Sequence, residues 1–236
     1  MTTAPTARFS DEFEDAGVDC AGAAIESVMT FNSHVPISAP WSLDTAAQQI
    51  TLGDMALHAV PIGTFSEDYK CWVWAWGNDS LSPDDPGLAQ SLRLREIGEQ
   101  RGIPELTQRQ VNLDHFENLR MGAEKLALVS MGLLGARGYV GVTIRDFRLY
   151  LVSDDPSVPG LTERGPDQLD QVLRNAERWF DADPQDIAVS YVEHLGGKYQ
   201  QIPGGIAISI PDGPSATLYY RTSGLDHIGP PLIPLL

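Results

Sequence analysis

The chain has 236 residues, with 16 Lys and Arg against 32 Asp and Glu, a formal charge of −16. Its 42% hydrophobic content excludes a wholly disordered chain, and no run approaches the roughly 18 apolar residues of a membrane helix. The acidic balance excludes a surface built to bind nucleic-acid phosphates, which needs clustered Lys and Arg.

Residues 1–24 carry Asp11, Glu12, Glu14, Asp15 and Asp19 against Arg8 alone, with Phe9, Phe13 and Val18 spaced four and five apart. They fit a short acidic helix or a frayed terminus. Ile25, Val28, Met29 and Phe31 fit a helix end or a first strand, before Pro36 and Pro40 break the chain. The clearest β signal follows. Residues 48–77 read as a three-strand antiparallel meander, turning first at Gly53-Asp54, where a glycine in first place suits a II′ hairpin, and then at Ser66–Tyr69.

Ser82-Pro83-Asp84-Asp85 is a good helix start, with Leu88, Leu92 and Glu96 on one stripe and Pro104 as a stop. A stronger helix is expected from about Gln108 to Leu134, where Phe116, Leu119, Ala123, Leu126, Ala127, Ser130 and Leu134 recur at three- and four-residue spacing. Gly135 ends it. Tyr139–Ile144 and Phe147–Val152 read as a hairpin around Arg145-Asp146. Ser153–Gly165, rich in Asp, Pro and Gly, reads as a linker or long loop. Pro166 opens a helix to about Phe180. Ile187–His194, Gln200–Ile202, Ile206–Ile210 and Ala216–Thr222 read as a second meander, and the Pro- and Leu-rich tail from Gly229 reads as irregular.

This segregation of strands and helices predicts an α+β fold: two antiparallel meander units packed against about three amphipathic helices. The expected layout is a flexible acidic terminus (1–24), a first unit (25–152), a linker (153–165), a second unit (166–228) and a tail (229–236).

Three of the five tryptophans fall in Trp72-Val73-Trp74-Ala75-Trp76. On a strand they share one face, while Cys71, Val73 and Ala75 make the other face apolar too. A strand apolar on both faces is a buried, central one. The alternative use of Trp72, Trp74 and Trp76 is an aromatic wall for a flat ligand, with the Asn78 amide beside it; the plainer role for Asn78 is an Asx turn. The same stretch carries a likeness. Gly63-Thr64-Phe65-Ser66, an acidic turn, then Trp72-x-Trp74-x-Trp76-x-Asn78 resembles the core of an uncharacterised bacterial domain family, whose signature runs G-T-[FY]-S, a turn, then W-x-W-x-W/A-x-N. Arg93-Leu94-Arg95, Gly98 and Ile103-Pro104-Glu105-Leu106 fit the same pattern, and the resemblance spans about residues 48–152. Gly77 stands where the pattern has a small apolar residue. The resemblance implies a β-meander with packed helices and no catalytic residues.

Signs of chemistry are sparse. His34, His58, His115, His194 and His227 show no metal-pair spacing, and no nucleophile elbow or P-loop occurs. Asp181–Asp186 begins like a calcium loop but has Asp186 at the glycine position and Val192 at the bidentate glutamate position. Around residues 110–126, Asp114, His115, Glu117, Asn118 and Glu124 could bind a metal or serve acid–base work, yet they read better as the wet side of a helix. Cys20 and Cys71 are too few for a disulfide scaffold and read as reduced thiols. Met1–Arg8 has no apolar h-region, so a cytoplasmic location is expected. No cofactor or metal, and neither nucleic acid nor a membrane as partner, is expected. Two functions remain. One is a non-enzymatic interaction module, immunity- or chaperone-like, that meets a basic protein partner or itself. The other is a small-molecule binder or enzyme whose pocket is walled by Trp72, Trp74 and Trp76.

Overall fold

The computed structural model describes residues 8–160, 164–222 and 224–231. Its elements run α1 (Asp11–His34), β1 (Trp41–Asp44), β2 (Gln49–Leu52), β3 (Met55–His58), β4 (Val60–Ser66), β5 (Cys71–Trp74), α2 (Ala89–Arg101), α3 (Pro104–Thr107) and β6 (Gln110–Asn112). They continue through α4 (Leu119–Leu134), β7 (Gly138–Ile144), β8 (Phe147–Ser153), α5 (Pro166–Glu177) and α6 (Pro184–His194). Four strands end the chain: β9 (Lys198–Ile202), β10 (Gly205–Ser209), β11 (Ser215–Arg221) and β12 (Gly224–Gly229). The fold is α+β, with antiparallel sheets throughout the described residues. No described helix is long and apolar enough to cross a membrane.

The chain divides into two compact units. The first comprises the chain up to Asp15 and Phe31–Val158, and the second Ala16–Thr30 and the chain from Pro159. Of the acidic start, residues 1–7 lie outside the described residues, while residues 11–24 lie in α1, a helix of 24 residues. Ser10 caps it by accepting the Phe13 N–H, and acids fill the first turn, where they complement the helix dipole. Val35, held extended by the following Pro36, ends it.

In the first unit, β1-β2-β3 form one sheet and β6-β5-β4-β8-β7 a second. The expected three-strand meander over residues 48–77 is thus four strands shared between two sheets, and the break falls at Ala59 between β3 and β4. Gly53, with φ 59, makes the two-residue β2–β3 turn, and Arg145, with φ 53, the β7–β8 turn. Between the two sheets Ile50, Leu52 and Leu57 meet Val140, Val142 and Leu151, with Phe31 and Val35 from the end of α1. The opposite face of the five-stranded sheet is covered by α2 and α4.

The long helix expected from Gln108 begins only at Leu119. Residues 110–112 pair instead with β5, which supplies Val111 with a strand partner at Trp72. Asn112 accepts the Asp114 N–H in an Asx turn, and Asn118 caps α4 by accepting the Met121 N–H.

The second unit holds the sheet β12-β11-β10-β9, with α5 and α6 against it. Residues 187–194, expected as a strand, are the body of α6. Asp183 caps it, Pro184 sits in its first turn, and Ile187, Ala188, Tyr191 and Val192 form its buried stripe. The strand β12 occupies residues the sequence left unassigned, and Gly229 is its last residue. Of the tail, residues 232–236 lie outside the described residues. Glu26 of α1 is the polar centre of this unit: it accepts two bonds from Arg164 (2.9 and 2.7 Å) and one from the Tyr191 hydroxyl. Gly22 lets the Tyr191 ring approach, since a Cβ there would sit 2.4 Å from Cγ of the ring.

Candidate functional site

Trp72 and Trp74 are fully buried. They lie on the helix-covered face of the five-stranded sheet, in register with Gly63, Phe65 and Tyr150, and their rings meet edge to face at 5.2 Å. The Trp74 indole donates to the Glu105 carbonyl at 2.7 Å. Trp76 does not share their strand. The strand ends at Trp74, and Ala75–Gly77 form a 3-10 turn. Trp76 lies half-buried there, with the Arg95 guanidinium 4.9 Å above its ring. Gly77 permits the turn. A Cβ would stand 2.9 Å from the Arg109 carbonyl oxygen, and the Gly77 carbonyl accepts two bonds from Arg109.

An opening lies on the other side of the same sheet. It is a cavity of about 350 Å³ within the first unit, and none of the three tryptophans lines it. Its floor is Pro61 and Thr64 of β4 with Leu149 and Leu151 of β8, and its walls include Leu43, Ala59, Leu81, Leu88, Ile144 and Phe147. Polar groups enter from Gln48, Thr45, Asn78 and Asp85. Of the four residues proposed from sequence, Asn78 alone reaches this cavity. It also makes the Asx turn, accepting the Ser80 N–H at 3.0 Å.

A bulge in β4 shapes the floor. Pro61 pairs with Leu151 and Gly63 with Tyr150, so Ile62 is the extra residue. Proline cannot donate to the ladder and is tolerated at such a bulge. The extra residue reverses the alternation. Pro61 and Thr64 therefore face the cavity together, while Gly63 and Phe65 face the tryptophans. The Ile62 carbonyl is served by the fully buried Ser91 hydroxyl at 3.4 Å, which in turn accepts the Trp76 N–H at 3.0 Å.

Gln48 enters the rim from an unusual backbone. Its φ is 51, a left-handed conformation uncommon for a residue with a side chain. Its carbonyl accepts the Ala59 N–H, and its side-chain Oε1 lies 3.1 Å from Nε2 of His58. The His58 N–H donates to Asp155 Oδ2 at 2.7 Å. The Ser157 contact first, then this backbone bond, hold the Asp155 carboxyl below its ordinary range. His58, Gln48 and Asp154 also line a smaller neighbouring cavity of about 110 Å³.

The acidic group read along residues 110–126 disperses. Asp114, His115 and Glu117 are exposed on the turn before α4. Glu124 alone turns to the sheet, where it accepts the hydroxyls of Tyr139 (2.9 Å) and Tyr150 (3.0 Å) and pairs with Arg120 at 3.1 Å. Burial, then the Glu124 carboxylate, push both phenols far above their ordinary pKa, so both remain donors. With every hydroxyl in this set committed, it secures α4 to β7 and β8. No group of three or more metal-ligating side chains occurs among the described residues. Cys20 and Cys71 are buried in different units and unbridged, and burial pushes the Cys71 thiol up.

Sequence reading missed Gln48, Pro61, Thr64 and Asp85 as site residues. Asp85 read as a helix start, and it does cap the short 3-10 turn Pro86–Leu88 by accepting the Gly87 N–H. Gln48 carries no local mark, because its left-handed backbone is visible only in the fold. Against known proteins, residues 14–156 match the model of a family of unknown function (DUF6882). The match reaches further toward the N-terminus than the 48–152 of the motif, and it includes most of α1 and every strand and helix of the cavity. No curated protein and no solved structure matches the chain significantly.

Proposed function

The chain belongs to that family of unknown function, and we propose that its first unit is a small-molecule-binding module, with the cavity beneath the three-stranded sheet as its site. One observation supports this reading above others: an open, mainly apolar cavity of about 350 Å³ with a few polar groups at its rim. Small-molecule sites have this make-up, at volumes of roughly 300–1,000 Å³. The pocket wall is β4 and β8, on the face away from the tryptophans.

The test is saturable binding of a neutral apolar fluorophore, 1-aminoanthracene. Wild type should bind one equivalent. Thr64→Phe fills the cavity with a side chain that suits a strand, and it should weaken binding at least about tenfold, or about 1.4 kcal/mol, with an unchanged far-UV spectrum. A folded variant that binds as tightly as wild type would refute the site.

The charge of −16 supports a second reading, association with a basic protein partner.

A further inference from the structure

The rim of the cavity is chemically selective. Resting on the reading of that cavity as a ligand site, we infer that its ligand is a neutral molecule carrying a carbonyl or hydroxyl oxygen, which accepts a hydrogen bond from the Gln48 amide while an apolar body fills the space below.

The amide oxygen of Gln48 lies 3.1 Å from Nε2 of His58, a contact that is a hydrogen bond when the imidazole carries its proton on Nε2. In this arrangement Nε2–H donates to Oε1, and the oxygen end of the amide is turned to the histidine. The amide nitrogen, a two-proton donor, faces the opposite side. It lies 3.9 Å from the point where a Cβ on Gly87 would stand, and Gly87 is itself part of the cavity lining. Asp85 Oδ1 lies 3.0 Å from the same point. A glycine thus leaves open the space between an amide donor and a carboxylate. The left-handed backbone of Gln48 places this side chain at the rim, and such conformations persist where the surrounding structure holds them.

Charge then decides among acceptor-bearing ligands. The described lining residues include the Asp85 carboxylate and no Lys, Arg or His. A ligand carboxylate placed there would lose water beside a like charge, with no cation to offset it. A ketone, amide or alcohol oxygen carries no such cost and still satisfies the donor.

The experiment is displacement of 1-aminoanthracene by four ligands that share a ten-carbon body: 2-decanone, 1-decanol, decanoate and decylamine. The ketone and the alcohol should displace it, with decanoate at least about tenfold weaker and decylamine no tighter than the ketone. Gln48→Glu keeps the shape of the side chain and its approach to His58 but removes the donors, and Gln48→Met removes them without adding charge. Each should weaken the ketone about fivefold more than it weakens 1-aminoanthracene, the worth of one hydrogen bond. Equal displacement by all four, or a ketone affinity indifferent to both substitutions, overturns the inference and leaves the cavity reading standing. Tighter binding of decanoate or decylamine also overturns it, in favour of a charged ligand. Failure of 1-aminoanthracene and all four ligands to bind overturns both. Should either variant not fold, the other variant and the wild-type ranking still decide.

Discussion

Gly63 shows how closely the two faces of one strand are drawn. A Cβ at this position would stand 2.4 Å from the Trp72 indole, which has no room to move because Trp72 is fully buried against Trp74 and Tyr150. Gly63→Ala should therefore destabilise the protein by about 1–3 kcal/mol, the cost of overpacking a filled core. Urea unfolding followed by tryptophan fluorescence measures it, and an unchanged midpoint would show that the indole can shift. Asp155 offers a second test at this scale. Its folded carboxyl is held below the ordinary range, chiefly by Ser157 and then by the His58 N–H. A depressed carboxyl pKa stabilises above the unfolded value, near about 3.9, and loses that contribution as pH falls through the lower folded value. The end of β3 should then loosen only below about pH 4. Protection of the His58 amide from hydrogen exchange reports this, and loss of protection already between pH 7 and 5 would contradict the assignment.

The elements carry the next level of organisation. Ser91 on α2 ties the β4 bulge to the 3-10 turn by serving the Ile62 carbonyl and accepting from the Trp76 N–H. Ser91→Ala leaves both backbone groups without that partner at a buried position. It should cost about 1–3 kcal/mol and weaken 1-aminoanthracene binding, because the bulge sets the cavity floor; thermal unfolding and the binding titration check the two effects. The elements also show what local sequence can and cannot reveal. The hairpins at Gly53-Asp54 and Arg145-Asp146 were legible because period-two alternation and turn chemistry act over a few residues. The start of α4 was not, since Phe116 and Leu119 continue the helical stripe, while residues 110–112 pair with β5 and the chain turns at Asn112 before the Asn118 cap. The run Ile187–Val192 suits either period, and the cap Asp183 with Pro184, which did mark a helix, was weighed only as part of an incomplete calcium loop.

For the molecule as a whole, the charge of −16 has an identifiable structural use. Asp44, Asp85, Asp155 and Asp183 each accept a backbone N–H at a turn or cap. Glu14 and Lys125, both nearly buried, form an ion pair within the first unit, and Glu26 holds Arg164 within the second. Part of the acidity thus serves the fold; that the rest meets a basic partner is our second proposal. If such a partner exists, pull-down from the native host at low salt should capture a protein of basic composition and lose it at about 0.5 M salt, where screening shortens the reach of surface charge to a few ångströms. Recovery of the chain alone would end that reading.

By itself the sequence determined the α+β class, the hairpins, the end of α4 at Gly135, and the burial of Trp72 and Trp74. Each of these follows from interactions between near neighbours: side-chain alternation, caps and backbone freedom. The tertiary structure alone decided the sharing of β3 and β4 between two sheets, the reversal of faces at Ile62, and the cavity itself. Its lining runs from Leu43 to Leu151, and residues so far apart are brought together only by strand pairing and packing. A one-residue bulge and one left-handed glutamine govern which side chains reach it, and neither leaves a periodic trace in the chain.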